Sequence, residues 1–229
     1  MFADALNLLI PPACLACGSR IDEQNQVICE ACEAKMMMVG SDTCSVCGSE
    51  LKEYPCRACL EESFAFDSAR AIFKFGGPVK ELIHVLKYNG YESPAGYFAL
   101  PIAELIESEP ALQDHDYICA VPLHPVRRRE RGYNQAELIA SCVAYLTGLP
   151  FEMPVVRKVN TLSQTLLSKA RRVKNLNGAF RIKKTSQVAG KKILLLDDVF
   201  TTGSTLNEIA KTLRFAGASK ITAITVARA

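Results

Sequence analysis

Hydrophobic and polar positions follow two regimes that meet near residue 68. From Ala69 onward the apolar residues keep the periods of regular secondary structure. Ala69 to Phe75 alternates as a strand, and Gly76-Gly77-Pro78 turns the chain. Val79, Leu82, Ile83 and Leu86 form a helical stripe, and Phe98, Ile102, Leu105 and Ile106 a second. The run 117–122 (YICAVP) predicts a strand. A helix follows Asn134, with Leu138, Ile139, Cys142, Val143 and Leu146 on one face and a stop at Gly148. Val155 to Val159 predicts another strand. The most regular stretch comes last. Ile193 to Leu196 is unbroken apolar sequence, as expected of a strand buried on both faces of a parallel sheet. Asp197-Asp198 and the loop Thr201-Thr202-Gly203-Ser204-Thr205 follow, then a helix apolar at Leu206, Ile209, Ala210 and Leu213, closed by Gly217. Ile221 to Val226 returns as a strand and completes a βαβ unit. Alternating strands and helices predict an α/β fold with a parallel sheet over residues 69–229.

Residues 1–68 show no such rhythm and few large apolar side chains. They hold eight of the ten cysteines, in four CxxC pairs: Cys14/Cys17, Cys29/Cys32, Cys44/Cys47 and Cys56/Cys59. Each pair can turn two thiolates onto one metal at about 2.3 Å, and two pairs complete a tetrahedral site. Gly18 and Gly48 follow the second cysteine of their pairs, where a knuckle turn favours a residue free to take positive φ. The pattern predicts two structural zinc ions. An iron–sulfur cluster is the minority reading, and spacing leaves sequential and interleaved pairing both open. A segment this poor in core depends on metal for its fold. Each four-thiolate site carries excess negative charge, for which Arg20, Lys35, Lys52 and Arg57 are the nearby cations. Cys119 and Cys142 lie in apolar stretches and are expected in the core.

At 229 residues the chain has room for one sizeable domain and a small satellite. The first segment, 14 residues long (MFADALNLLIPPAC), lacks a basic start and is broken by Asp4 and Asn7, so it makes a poor signal peptide. No run is long enough to span a bilayer. The expectation is a cytoplasmic protein without membrane insertion, its thiols reduced. Net charge is +3 but unevenly placed. Residues 1–68 hold four Lys/Arg against eleven Asp/Glu, and residues 122–184 hold thirteen Lys/Arg against three Glu. A basic segment of that density predicts an anionic partner, a phosphorylated metabolite or a nucleic acid.

The loop Thr201 to Thr205 opening onto a helix reads as a phosphate cradle. Backbone N–H groups converge there, Gly203 permits close approach, and the helix dipole favours negative charge. Asp197 and Asp198 stand at the carboxyl end of the preceding strand, where ligands dock in open α/β sheets. Carboxylates beside a phosphate site require ribose hydroxyls or Mg²⁺ to offset their repulsion. Together these features predict a ribose-5-phosphate site. Neither a Walker A nor a GxGxxG pattern is present.

The run LLLDDVFTTGST (194–205) resembles the signature of type I phosphoribosyltransferases, which bind 5-phosphoribosyl-1-pyrophosphate (PRPP). The whole chain resembles the ComF (ComFC-like) family, a double zinc ribbon followed by a phosphoribosyltransferase domain. The CxxC pairs, Val121-Pro122, RRERGYNQ (128–135), Leu167-Ser168, Arg171 and NLNGAF (175–180) carry that resemblance with the signature. It implies a zinc ribbon over 1–68, a phosphoribosyltransferase-like domain over 69–229, PRPP bound with Mg²⁺, and a role in DNA uptake. In the family the acidic pair holds the ribose hydroxyls and the following loop the 5-phosphate. That assigns Asp197, Asp198, Thr201, Thr202, Gly203, Ser204 and Thr205 to PRPP. Arg127, Arg128, Arg129 and Arg131, expected on a loop after the strand 117–122, are placed to meet pyrophosphate or DNA, as is Arg171. Residues 160–178 read equally as a flap over the site or as a surface loop. His84, His115 and His124 are scattered, and no general acid or base is assigned. Two readings follow. One is an enzyme moving a phosphoribosyl group from PRPP to a nitrogenous acceptor. The other is an accessory protein of DNA uptake that grips single-stranded DNA and works with the uptake machinery.

Overall fold

The computed structural model describes residues 12–21, 26–51, 53–158, 178–184 and 186–229. The expected flap, including Arg171, lies outside the described residues up to its last position, Gly178, and so does Lys52. The body is built on four parallel strands, β1 (Ser68–Lys74), β2 (Tyr117–Ala120), β5 (Lys192–Phe200) and β6 (Lys220–Arg228), in the order β1-β6-β5-β2. A separate antiparallel pair joins β3 (Val155–Arg157) and β4 (Phe180–Ile182).

The unbroken apolar run of β5 has the burial it predicts. Leu194 and Leu196 point to one face of the sheet with Ile118, Ala120, Ile224 and Val226. On that face pack α3 (Gly77–Tyr88), α4 (Ser93–Ser108) and α7 (Gln135–Thr147), through residues such as Leu82, Phe98 and Ile139. Ile193 and Leu195 point to the other face with Cys119, Ile221 and Ala223, against Leu206, Ile209 and Leu213 of α8 (Ser204–Phe215). A strand covered on both sides has no use for alternation, so hydrophobic residues fill every position. Cys119 is fully buried and Cys142 packs partly buried against the first core, both as expected.

Two edges remain, and both are covered. Val39 N donates to Ile72 O at 2.9 Å and Lys74 N to Met37 O at 2.8 Å, laying the segment after the first cysteine cluster along β1. Ile118 N donates to Pro150 O and Glu152 N to Ile118 O, which does the same for β2. Covered edges cannot template pairing with another chain.

The cysteine-rich segment contains one knuckle built twice. Cys14-x-x-Cys17-Gly18-Ser19 and Cys44-x-x-Cys47-Gly48-Ser49 share bridges at matching positions, Ala13 with Arg20 and Thr43 with Glu50. In each, the glycine N donates to the first cysteine's carbonyl at 2.8 Å. Gly18 and Gly48 have φ of 76° and 70°, the left-handed turn expected of them. At Gly48 space matters too, since a Cβ would stand 2.7 Å from Ala69 O. Short helices α1 (Glu30–Glu33) and α2 (Arg57–Glu61) carry the closing CxxC pairs. Among the described residues no helix is long and apolar enough to cross a membrane.

One expectation is corrected. The arginine-rich run after β2, anticipated as loop, is the helix α6 (Pro125–Arg131). His124 caps it through Nδ1, which accepts from Val126 N at 3.2 Å, and Pro125 takes the first helical position, where its missing N–H costs nothing. The remaining helix, α5 (Pro110–Gln113), is a single turn.

Candidate functional site

The ligand atoms of Cys14, Cys17, Cys29 and Cys32 lie within 4.8 Å of one another, and so do those of Cys44, Cys47, Cys56 and Cys59. The sequential pairing is therefore the one the fold brings together. A tetrahedron with metal–sulfur bonds of about 2.3 Å puts its sulfurs about 3.8 Å apart. Cys17 and Cys29 Sγ stand 3.8 Å apart, Cys44 and Cys59 3.7 Å, and Cys47 and Cys56 3.6 Å. Four thiols gathered within 4.8 Å, with these three spacings at the tetrahedral value, fit zinc, and no solvent position is left in such a set. Ser19 and Ser49 hydroxyls approach Cys17 and Cys47 Sγ at 3.2 Å, an outer ring that orients the ligands. Arg57 turns to Glu61 at 3.1 Å. The cation against the second cluster comes from the far end of the chain: Arg228, which donates to Cys47 O at 2.5 Å.

The second site lies at the carboxyl ends of β5 and β2. Asp197 and Asp198 share a cleft of about 250 Å³ with Thr201, Thr202, Gly203, Ser204 and Thr205. The alternation of β5 sends the two carboxylates to opposite sides of the sheet. Asp198 turns toward α3 and α7, where its Oδ2 accepts from Lys87 Nζ at 2.8 Å and Gln135 Nε2 at 2.7 Å. Asp197 lines the cleft half-buried, and its Oδ1 accepts from Asp198 N at 2.9 Å. Burial, and then the charge of Asp198, push the Asp197 carboxyl up to about 7. A carboxylate held at such a cost is a mark of a binding or catalytic site.

Thr202 Oγ1 and Ser204 Oγ lie 2.7 Å apart, and Gly203 turns the loop into α8 with φ of 76°. Gly203, the N-cap of α8, has no side chain to cap it; Thr202 Oγ1 accepts from Ser204 N at 3.4 Å, and the start of the helix lines the cleft, where its dipole favours an anion. Gly203 is required twice over. A Cβ there would stand 2.5 Å from the buried Phe200 ring, and the backbone is left-handed. Gly203→Ala is expected to lower inorganic phosphate and PRPP affinity at least about tenfold, a figure matching about 1.4 kcal/mol of loop displacement. Calorimetry on the folded variant checks this, and unchanged affinity would remove the loop from the site.

The four arginines divide between two grooves because α6 is a helix. Arg127 and Arg131, one turn apart, line the acidic cleft. Arg128 and Arg129 line a neighbouring groove of about 830 Å³ with Lys183 and Met153. Arg128 pairs there with Glu137 at 2.8 Å. Three cleft residues escape the sequence reading: Lys87, Gln135 and Arg157. Gln135 closes the run RRERGYNQ, and that run was its signal. Lys87 and Arg157 follow apolar stretches as ordinary surface cations would, and only the fold reveals them. Burial, and then the charge of Arg127, lower the Arg157 pKa, though a guanidinium remains charged near neutrality. Arg131 donates to Gln135 Oε1 and lies 5.2 Å from the Tyr88 ring centroid at the cleft rim. Four cations thus surround two carboxylates, a surplus suited to a ligand with several phosphates and a diol.

Residues 5–63 match the double zinc ribbon domain family and residues 129–229 the phosphoribosyl transferase domain family. Competence protein F of Haemophilus influenzae is 30% identical over 224 residues, covering 94% of this chain and 96% of that one. DNA utilization protein YhgH of Escherichia coli K12 is 29% identical over 220 residues, covering 93% and 96%. Competence protein ComFC of Bacillus subtilis is 25% identical over 234 residues, covering 94% of each. Among solved structures, the glutamine PRPP amidotransferase of B. subtilis aligns over 58% of this chain and 26% of its own, at 20% identity and a TM-score of 0.39.

Proposed function

The chain belongs to the ComF family, and from that membership we propose that its acidic cleft binds PRPP with Mg²⁺ in the service of DNA uptake or use. The observation that carries this reading is the order inside one cleft: the acidic pair at the end of β5, the left-handed Gly203, then the start of α8. Ribose hydroxyls donate to Asp197 and Asp198. The 5-phosphate accepts from the Thr201–Thr205 loop, and the diphosphate faces Arg127, Arg131 and Arg157. Magnesium bound with PRPP offsets diphosphate charge, and it takes oxygen ligands, for which the two carboxylates are the available side chains. Transfer of the phosphoribosyl group to a nitrogenous acceptor is the reaction such a site supports, since the arginines stabilise the departing diphosphate. Calorimetry should show saturable binding of one PRPP with Mg²⁺ and none in chelator. Pyrophosphate release against a nucleobase panel then tests transfer. Absence of binding at millimolar PRPP with Mg²⁺ would sink the reading.

The second groove favours a second anion. Arg129 and Lys183 line this groove and not the acidic cleft, beside apolar Met153, Leu123 and Val155. Single-stranded DNA is the partner this suits, held through its phosphates and without sequence preference. Log affinity should fall with log salt by about 0.7 per phosphate engaged, giving a slope near −3 for four contacts. Arg129→Glu with Lys183→Glu should flatten that slope while PRPP binding persists. A salt titration without DNA binding at low ionic strength would leave the basic groove to metabolites.

A further inference from the structure

The phosphate loop and the second cysteine cluster meet in one packed joint on the far side of Phe200. That ring is 2% exposed and does not line the cleft. Its edge fills the space where Gly203 lacks a side chain, so the ring sets the path of the loop. The Arg228 guanidinium lies 4.2 Å from the Phe200 ring centroid. The same guanidinium donates through Nη1 to Cys47 O at 2.5 Å and through Nη2 to Ser49 Oγ at 2.5 Å. Ser49 in turn approaches Cys47 Sγ, a thiol of the second cluster. One planar cation thus touches a metal-binding knuckle with its fork and the phosphate loop's supporting ring with its face, a double use that lysine's point charge cannot reproduce.

A second tie runs parallel to the first. Asn207, in the first turn of α8 and 3% exposed, accepts from Ala65 N at 2.7 Å and donates to Ser63 O at 3.1 Å. The chain from Ser63 to Ala65 leads directly out of the second cluster, and Phe64 packs against both that cluster and the Phe200 ring. The first cluster has other neighbours. It sits on α4, where Tyr97 Oη donates to Glu33 at 2.8 Å, and its buried thiols join the opposite core.

We propose that Arg228 is a positioning residue that couples the second cysteine cluster to the phosphate loop, so that metal in the cluster and anion in the loop strengthen each other's binding. The inference rests on the phosphate-site reading above but not on turnover. Coupling free energies are reciprocal: if metal raises anion affinity by some factor, anion raises metal affinity by the same factor.

The test is an equilibrium chelator competition on the zinc-loaded full chain, with Mg²⁺·PRPP absent or saturating and with inorganic phosphate run in parallel. In the wild type one of the two zincs is expected to bind about fivefold or more tightly when ligand is present, the lower end of typical coupling, while the other is unmoved. Arg228→Met should retain both zincs but lose most of the ligand-dependent difference, the remainder passing through the Asn207 tie. Should it fail to fold, Arg228→Lys, which keeps the cation and loses the fork, is expected to lose most of it. A purely structural role would change zinc retention equally with and without ligand. Equal protection in wild type and variant, protection of both zincs, or protection of neither by either probe would overturn the coupling. Protection by phosphate without PRPP binding would keep the coupling and reject the PRPP assignment.

Discussion

Replacing Asp197 and Asp198 together by asparagine is expected to weaken Mg²⁺·PRPP binding by about a hundredfold to ten-thousandfold while the fold survives. Each charge-assisted hydrogen bond from a ribose hydroxyl is worth about 1.5–3 kcal/mol, and two are removed. The fold should tolerate the change because asparagine keeps the shape, and because the charge of Asp197 is a burden without ligand. Its carboxyl is pushed up to about 7 by burial and by Asp198, from an ordinary value of 3.8. Below the unfolded value both states hold the proton, and the group contributes nothing to stability. Between 3.8 and about 7 the folded state holds it more tightly, so stability falls as pH rises; above about 7 the penalty is complete. Thermal melts of the ligand-free protein should therefore fall from pH 6 to pH 8, and Asp197→Asn should flatten that dependence. PRPP affinity should run the other way, rising toward pH 7 as the carboxylate forms. Calorimetry at pH 6 and pH 8 checks both signs. Equal affinity of wild type and double variant would remove the acidic pair from the site.

The βαβ unit that carries this site was legible because each of its parts has a local signature. Ile193–Leu196 can only be a doubly covered strand or a short buried segment, and the glycine-containing loop before a 3.6-period stripe settles the phase. The α/β layering over Ala69 to the end followed from the same periods. Legibility failed where geometry depends on residues far apart. Lys87 reaches Asp198 from the end of a helix more than a hundred positions earlier, and nothing around Lys87 marks it. Arg228 meets Cys47 across a separation of 181 residues. Sequential and interleaved cysteine pairings satisfy the same spacings, and packing alone separates them.

The arginine run after β2 is an instructive miss, since its signals were local. Pro125 after His124 is a helix start, and Gly132 with φ of 88° is a helix end. Expected as loop, the four arginines formed one patch meeting pyrophosphate or DNA. As helix, residues 127 and 131 share a face and 128 and 129 take another, so the cations are shared between two grooves. The arginines of this helix are thus divided between two grooves, so the two functional readings need not compete for the same residues.

Purified protein is expected to carry two zinc ions per chain, and their removal should unfold the cysteine-rich segment. Two complete sets of four thiolates, each gathered within 4.8 Å, leave no coordination position for solvent. Among the described residues of 1–68 the buried apolar side chains are few: Ile21, Ile28, Phe66 and five cysteines, Cys14, Cys32, Cys44, Cys47 and Cys56. Conformational entropy of about 1–2 kcal/mol per ordered residue far exceeds what so small a core returns. Metal must supply the difference, and structural zinc sites deliver about 10–16 kcal/mol at neutral pH. The body differs, because its strands are covered on both faces by their own helices. Cys29→Ser should therefore leave one zinc, open the first knuckle to protease, and uncover the α4 surface around Tyr97 and Met36, with the parallel sheet still folded. Stripping both ions should expose cleavage sites throughout residues 26–62 before any appear in β5 or β6. Elemental analysis and limited proteolysis read both outcomes. One zinc per wild-type chain, or iron with visible absorbance, would overturn the two-zinc assignment, and a cysteine segment that stays protease-resistant without metal would overturn the dependence of its fold on zinc.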